Sequence, residues 1–171
     1  MPISHRQLVA AARKWLARSC PVVLTELVTG SETADAFGFH HGGWTTLVEC
    51  KASRPDFVAD TKKWFRRNPE NGMGDERYYL TPPGLLFPKE LPLSWGLMEA
   101  HERRIITARK SDRFPKNNMA ELNLLVSTLR RLNVQNHMGV SIRHYKIQTR
   151  GRAVLWYRPE ESPSLKLSEE D

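Results

Sequence analysis

Cysteine is scarce: the 171-residue chain holds two, Cys20 and Cys50. Two distant thiols cannot form a disulfide framework, and without a Cys-x-x-Cys pair they cannot cage zinc by sulfur alone. Both read as small buried residues. Long apolar runs are also missing. No stretch nears the roughly 20 apolar residues of a membrane helix, and no apolar signal core follows His5 and Arg6. The expectation is a soluble, cytoplasmic chain with no membrane partner. Glycine and proline, 10 and 11 residues, are too few for a fibrous or low-complexity protein, whereas 40% hydrophobic content suffices for one ordinary core. Acid is thin in one region. Residues 101–157 carry 12 Lys+Arg against 3 Asp+Glu, while residues 1–100 carry 12 against 11 and residues 158–171 carry 2 against 5. The net charge of +7 is therefore concentrated around Arg103, Arg104, Arg109, Lys110, Arg113 and Lys116. Such a field favours an acidic partner, most commonly nucleic acid.

Ser4 opens an amphipathic pattern, Leu8, Ala11, Ala12, Trp15 and Leu16, that ends at Cys20-Pro21. Pro21 to Val28, Thr33 to Phe39 and Trp44 to Ala52 are short β-branched or alternating runs, and His40-His41-Gly42-Gly43 supplies turn chemistry for a hairpin. Ser53 and Asp56 have the spacing of a capping box with Pro55 in the first turn, which predicts a helix from about Arg54 to Arg67. Asn68 to Glu76 reads as a mobile loop, Arg77 to Thr81 as a fourth strand and Trp95 to Glu99 as a fifth. A leucine-rich helix follows from about Asn117 to Leu132, with spacing suited to core or dimer packing, so a homodimer is one admissible assembly. The pattern implies one α/β domain over residues 1–157, with a core in about 1–100, a basic helical extension over 101–157 and an acidic disordered tail at 158–171.

Chemistry concentrates in Leu47-Val48-Glu49-Cys50-Lys51. Alternation puts Glu49 and Lys51 on one face of an otherwise apolar strand, where burying either charge is expensive without a partner. Hairpin pairing brings Asp35 beside Glu49, and Glu26, embedded among Val23, Leu24, Leu27 and Val28, is able to point at the same edge. Three converging acids repel one another, and a hard divalent cation such as Mg2+ removes that cost. Such an ion activates water and stabilises a leaving oxygen, while the Lys51 ammonium orients the attacking water or stabilises the transition state. That is phosphodiester hydrolysis.

In these residues the chain resembles the PD-(D/E)XK nuclease superfamily, whose signature is an acid on one hairpin strand and Glu-x-Lys on the next. Asp35 and Glu49-Cys50-Lys51 match it, with Ala34 where the motif has proline, and Glu26 is similar to an additional upstream acid. The segments Glu26 to Asp35 and Val48 to Lys63 look like small bacterial or phage DNA-repair-type nucleases, and the resemblance spans roughly residues 20–100. It implies a restriction-endonuclease-like αβββαβ core with a mixed sheet, and Mg2+-dependent cleavage of DNA, with Mn2+ as a substitute, in DNA repair, recombination or phage DNA metabolism. It also implies a bacterial cell or phage-infected host, and metal ligation by Asp35, Glu49 and the main-chain carbonyl of Cys50.

Asp56, Asp60 and Lys63 share a helical face, which makes Ser53 and Asp60 supports of the site and Lys62, Lys63, Arg66 and Arg67 phosphate contacts beside Arg103, Arg104, Arg109 and Lys110. His40-His41 reads as an exposed turn, Tyr78, Tyr79 and Trp95 as core, and Gly72-Met73-Gly74 lacks the context of a phosphate-binding loop. The competing reading is a catalytically silent nuclease fold that grips nucleic acid or another protein.

Overall fold

The computed structural model describes residues 3–28, 33–131, 146–150 and 153–157. Helix α1 (His5–Leu16) is started by a reciprocal cap in which Ser4 accepts from the Gln7 amide and the Gln7 side chain accepts from the Ser4 amide. Its apolar stripe buries Leu8, Val9, Ala12 and Leu16. Strands β1 (Val22–Val28), β2 (Thr33–Phe39) and β3 (Thr45–Cys50) form an antiparallel meander. The β2–β3 hairpin closes through His40 and Trp44, with Gly43 at φ 78°, where glycine escapes the Cβ penalty.

Helix α2 (Arg54–Thr61) starts where the Ser53 hydroxyl accepts from the Asp56 amide, one of the two bonds of the expected capping box. The single helix expected to Arg67 does not form. Lys63 is extended at ψ 143°, and a separate turn, α3 (Trp64–Arg67), follows. No proline or glycine forces this break; it lets Arg66 turn inward toward two buried carboxylates.

Strands β4 (Glu76–Thr81) and β5 (Gly96–Ala100) add in parallel beyond β3, and β6 (Ile105–Arg109) pairs antiparallel with β5. The result is a six-stranded mixed sheet ordered β1-β2-β3-β4-β5-β6. Part of the basic region read as a helical extension is thus its last strand. Helix α1 covers one face over Ala36, Val48, Cys50, Tyr78, Leu80 and Met98. Phe57 of α2 packs the other with Phe37, Leu47, Tyr79, Trp95 and Leu97, joined by Ala120 and Leu124 of α4 (Asn118–Arg131). Gly96 lets β5 approach β4, since a Cβ there overlaps the Tyr78 ring.

Asn68 to Glu76, expected to be mobile, is tied down. The buried Arg77 guanidinium donates to the carbonyls of Pro69, Gly72 and Gly74, and Glu121 accepts from the Gly74 amide. Each bond satisfies a backbone group that a free loop leaves to water.

The chain divides into two compact units, residues 1–124 and 125–171. In the second, β7 (Lys146–Arg150) and β8 (Ala153–Tyr157) form an antiparallel hairpin. The expected tail at 158–171 lies outside the described residues. Among the described residues no helix is long and apolar enough to cross a membrane.

Candidate active site

The β2–β3 ladder ends at Ala36–Val48. Past it the strands diverge, and Asp35 fills the gap: its Oδ2 accepts from the Cys50 amide at 2.7 Å, while its Oδ1 lies 3.5 Å from His5 Nε2. Cys50 is thereby fixed between the two acids through its main chain. Its thiol is pushed up, first by burial and then by Asp35 and Glu49, so it stays protonated.

Glu49 and Lys51 alternate with Val48 and Cys50 and enter the face shared with Tyr79 and Trp95. There they meet groups from the α2–α3 break. Lys51 Nζ lies 3.0 Å from Glu49 Oε2 and 3.2 Å from Asp60 Oδ1. Arg66 donates to Asp60 through Nε at 2.7 Å and Nη2 at 3.2 Å, and its Nη2 is 3.1 Å from Glu49 Oε1. Tyr79 donates its hydroxyl to Asp60 Oδ2 at 2.7 Å. Lys63 closes the cluster from the solvent side, 2.8 Å from Asp60, with 45% of its side chain exposed. The other four charged side chains are at most 5% exposed. Three cations enclose two carboxylates, and the Arg66 guanidinium lies 4.5 Å over the Trp95 ring.

This enclosure drives the two acids apart in acidity. Burial pushes Glu49 up and outweighs the pull of Arg66 and Lys51. Burial also pushes Asp60 up, but the hydrogen bond and charge of Arg66, with Lys51 and Lys63, overcome it and hold Asp60 well below its ordinary value. For Lys51, burial favours the neutral amine, yet Glu49 and Asp60 more than offset it, so the ammonium persists across the working pH range. The Asp60 shift sets a sign. A carboxyl depressed on folding stabilises fully above its unfolded value near 3.8 and loses that contribution as pH falls through the lower folded value. Asp60→Asn is therefore expected to flatten the acid limb of stability, read as melting temperature from about pH 5 down to 2. An unchanged limb would remove Asp60 from the network.

Glu26 occupies a different position. It stands across from Asp35, between the pairs Thr25–Ala36 and Leu27–Ala34, but it is exposed and in the left-handed region at φ 53°. Such a backbone costs a non-glycine residue roughly 1–2 kcal/mol. Among the described residues no group of three or more His, Cys, Asp or Glu side chains is arranged to hold a metal. Asp35 and Glu49 fit a hard divalent cation in chemical kind, as carboxylate oxygen donors, with Asp35 bonded to the amide of Cys50, the residue after Glu49. For Glu49 to serve, one of its cationic partners has to give way.

Other expected contacts separate clearly. Ser53 caps α2. Arg66 is buried in the cluster, which corrects its placement on a surface stripe; Lys62 and Arg67 are exposed. Arg109 donates to the carbonyls of Pro88 and Pro92, whereas Arg103, Arg104 and Lys110 are exposed. His40 is not a free turn residue: it stacks on Trp44 at 3.3 Å and its Nε2 lies 3.0 Å from Thr46 Oγ1. Sequence reasoning missed Tyr79 as a polar partner, although the parallel register Glu49–Tyr79 sets the two side by side. It also missed a second polar cluster at the opposite end of β3, where Asp75 accepts from the Thr45 amide at 2.8 Å and from Lys116 at 2.5 Å, and Glu121 joins through the Thr45 hydroxyl. Lys116, counted from composition as surface charge, is a structural pin.

No protein-family model and no curated protein matches the chain. Among solved structures, the SPO1766 protein of unknown function from Silicibacter pomeroyi is similar, with a TM-score of 0.58 at 23% identity over 77% of this chain and 89% of that one. The likeness is one of fold, a mixed α/β architecture with a six-stranded sheet flanked by helices.

Proposed function

We propose that this protein is a metal-dependent nuclease of the PD-(D/E)XK type that hydrolyses DNA phosphodiester bonds. The observation carrying the proposal is the junction of Asp35 with the Cys50 amide, which joins the hairpin acid to the Glu49-x-Lys51 strand at one sheet end. Asp35 and Glu49 would hold a divalent cation, Mg2+ or Mn2+, which supplies Lewis-acid polarisation of a phosphoryl oxygen. Lys51, held protonated, is unsuited to take a proton from water; its role is a fixed positive charge beside the phosphate as negative charge develops. Asp60 and Tyr79 orient that ammonium, and the exposed Lys63 offers a first contact to an incoming phosphate.

One observation favours the silent binding module. Glu49 is 1% exposed and already engaged by Lys51 and Arg66. The two readings separate in one assay: purified protein with Mg2+ on single-stranded, double-stranded and branched DNA. Cleavage that EDTA abolishes supports the nuclease. Binding without cleavage of any of the three contradicts it and supports the module.

A further inference from the structure

On the α1 side of the sheet lies a groove of about 310 Å3, bounded by Gln7, Lys14, Trp15 and Arg18 of the first helix region and by the β5–β6 turn, His101 to Arg104. Four cations face it, Lys14, Arg18, Arg103 and Arg104, against one carboxylate, Glu102. All four are exposed, and among the described residues none is within ion-pair reach of an acid. Elsewhere in the first unit Lys51, Arg54, Lys63, Arg66 and Lys116 are each matched to a carboxylate. Arg6, Arg13, Lys62, Arg67, Lys89 and Lys110 are likewise exposed and, among the described residues, have no acid within ion-pair reach, but the four cations here share one cleft, where their mutual repulsion is a cost that an anionic occupant removes.

Topology ties the groove to the candidate site. Strands β3, β4 and β5 are parallel, so the turn after Ala100 lies at the same sheet end as Lys51 after Cys50, and His5 at the start of α1 meets Asp35 there. The groove is an open trough walled by the half-buried Trp15, a shape suited to a polymer rather than to an enclosed small anion.

We propose that this groove binds the phosphodiester backbone of the nucleic acid cleaved at the Asp35–Glu49–Lys51 site, with Lys14, Arg18, Arg103 and Arg104 as its phosphate contacts. The identity of the occupant rests on the nuclease reading. The test uses the full chain with fluorescein-labelled single-stranded and duplex oligonucleotides, in EDTA, with anisotropy read at stepped salt. Lys14→Glu/Arg18→Glu and Arg103→Glu/Arg104→Glu are each expected to weaken binding at least about 10-fold and to flatten the salt slope by roughly one to two units, the scale for two lost phosphate contacts. Because these side chains are exposed and unpaired, the melting temperature should hold; the matching alanine pairs repeat the test without introduced repulsion. Parent-like affinity and slope in both alanine pairs would overturn the groove, as would a parent that binds neither oligonucleotide, or binding that millimolar inorganic phosphate abolishes at constant ionic strength. Cleavage is measured on the same samples. A cleaving parent with groove-independent binding sinks this inference alone, whereas groove-dependent binding by a parent that never cleaves sinks the nuclease reading and leaves the groove.

Discussion

Asp35→Asn is expected to lower Mg2+-dependent DNA cleavage on the order of 100-fold or more while the protein stays folded. Asparagine keeps an Oδ acceptor for the Cys50 amide, so the seam where β2 and β3 diverge survives, and what is lost is the charge that would hold the ion. The side chain is 18% exposed, so this change does not strand a deeply buried partner. Parent-like cleavage in the variant would place the chemistry elsewhere. Lys51→Met, attractive from sequence because it removes only an ammonium, is less clean in the folded protein: it leaves Glu49 and Asp60 buried with one fewer cation. A loss of activity there would mix catalysis with stability.

Arg66→Met is expected to cost about 3–5 kcal/mol of folding free energy, the range for removing one partner from a buried ion network. The guanidinium meets both Glu49 and Asp60 and packs over Trp95, and its side chain is 2% exposed. Denaturant unfolding measures the loss as a shifted midpoint at constant slope. Adding Glu49→Gln should recover part of it, because a buried negative charge disappears with its partner. A loss below about 1 kcal/mol, typical of an exposed pair, would mean that Arg66 faces water after all.

Periodicity made much of the architecture legible. Ser4 with its apolar stripe marked α1, alternation marked the β2–β3 hairpin and the Glu49-x-Lys51 strand, and leucine spacing marked α4. What escaped was set by partners distant in sequence. Nothing local breaks the helix at Lys63; the break exists because Arg66 has carboxylates to reach on β3 and α2. Nothing local orders Asn68 to Glu76; Arg77 and Glu121 do so from neighbouring elements. Strand β6 is short, is flanked by Arg103, Arg104 and Lys110, and pairs only with β5 at the sheet edge, where one ladder suffices. In the site, alternation sufficed to place Glu49 and Lys51 on one face, and the hairpin brought Asp35 to the same seam. Burial of the cluster was not legible, because Asp60, Arg66 and Tyr79 join it only through the α2–α3 turn and the parallel crossover to β4.

On the proposed reading, Asp35 and Glu49 together hold one divalent cation. That reading is tested most directly by a crystal structure of the protein soaked in manganese, with anomalous scattering locating the ion. The expected result is a peak in contact with carboxylate oxygens of both residues, at roughly 2.0–2.3 Å, with Glu49 drawn away from Arg66 or Lys51. Manganese bound elsewhere, or no peak while Glu49 stays paired with both Lys51 and Arg66, would contradict it.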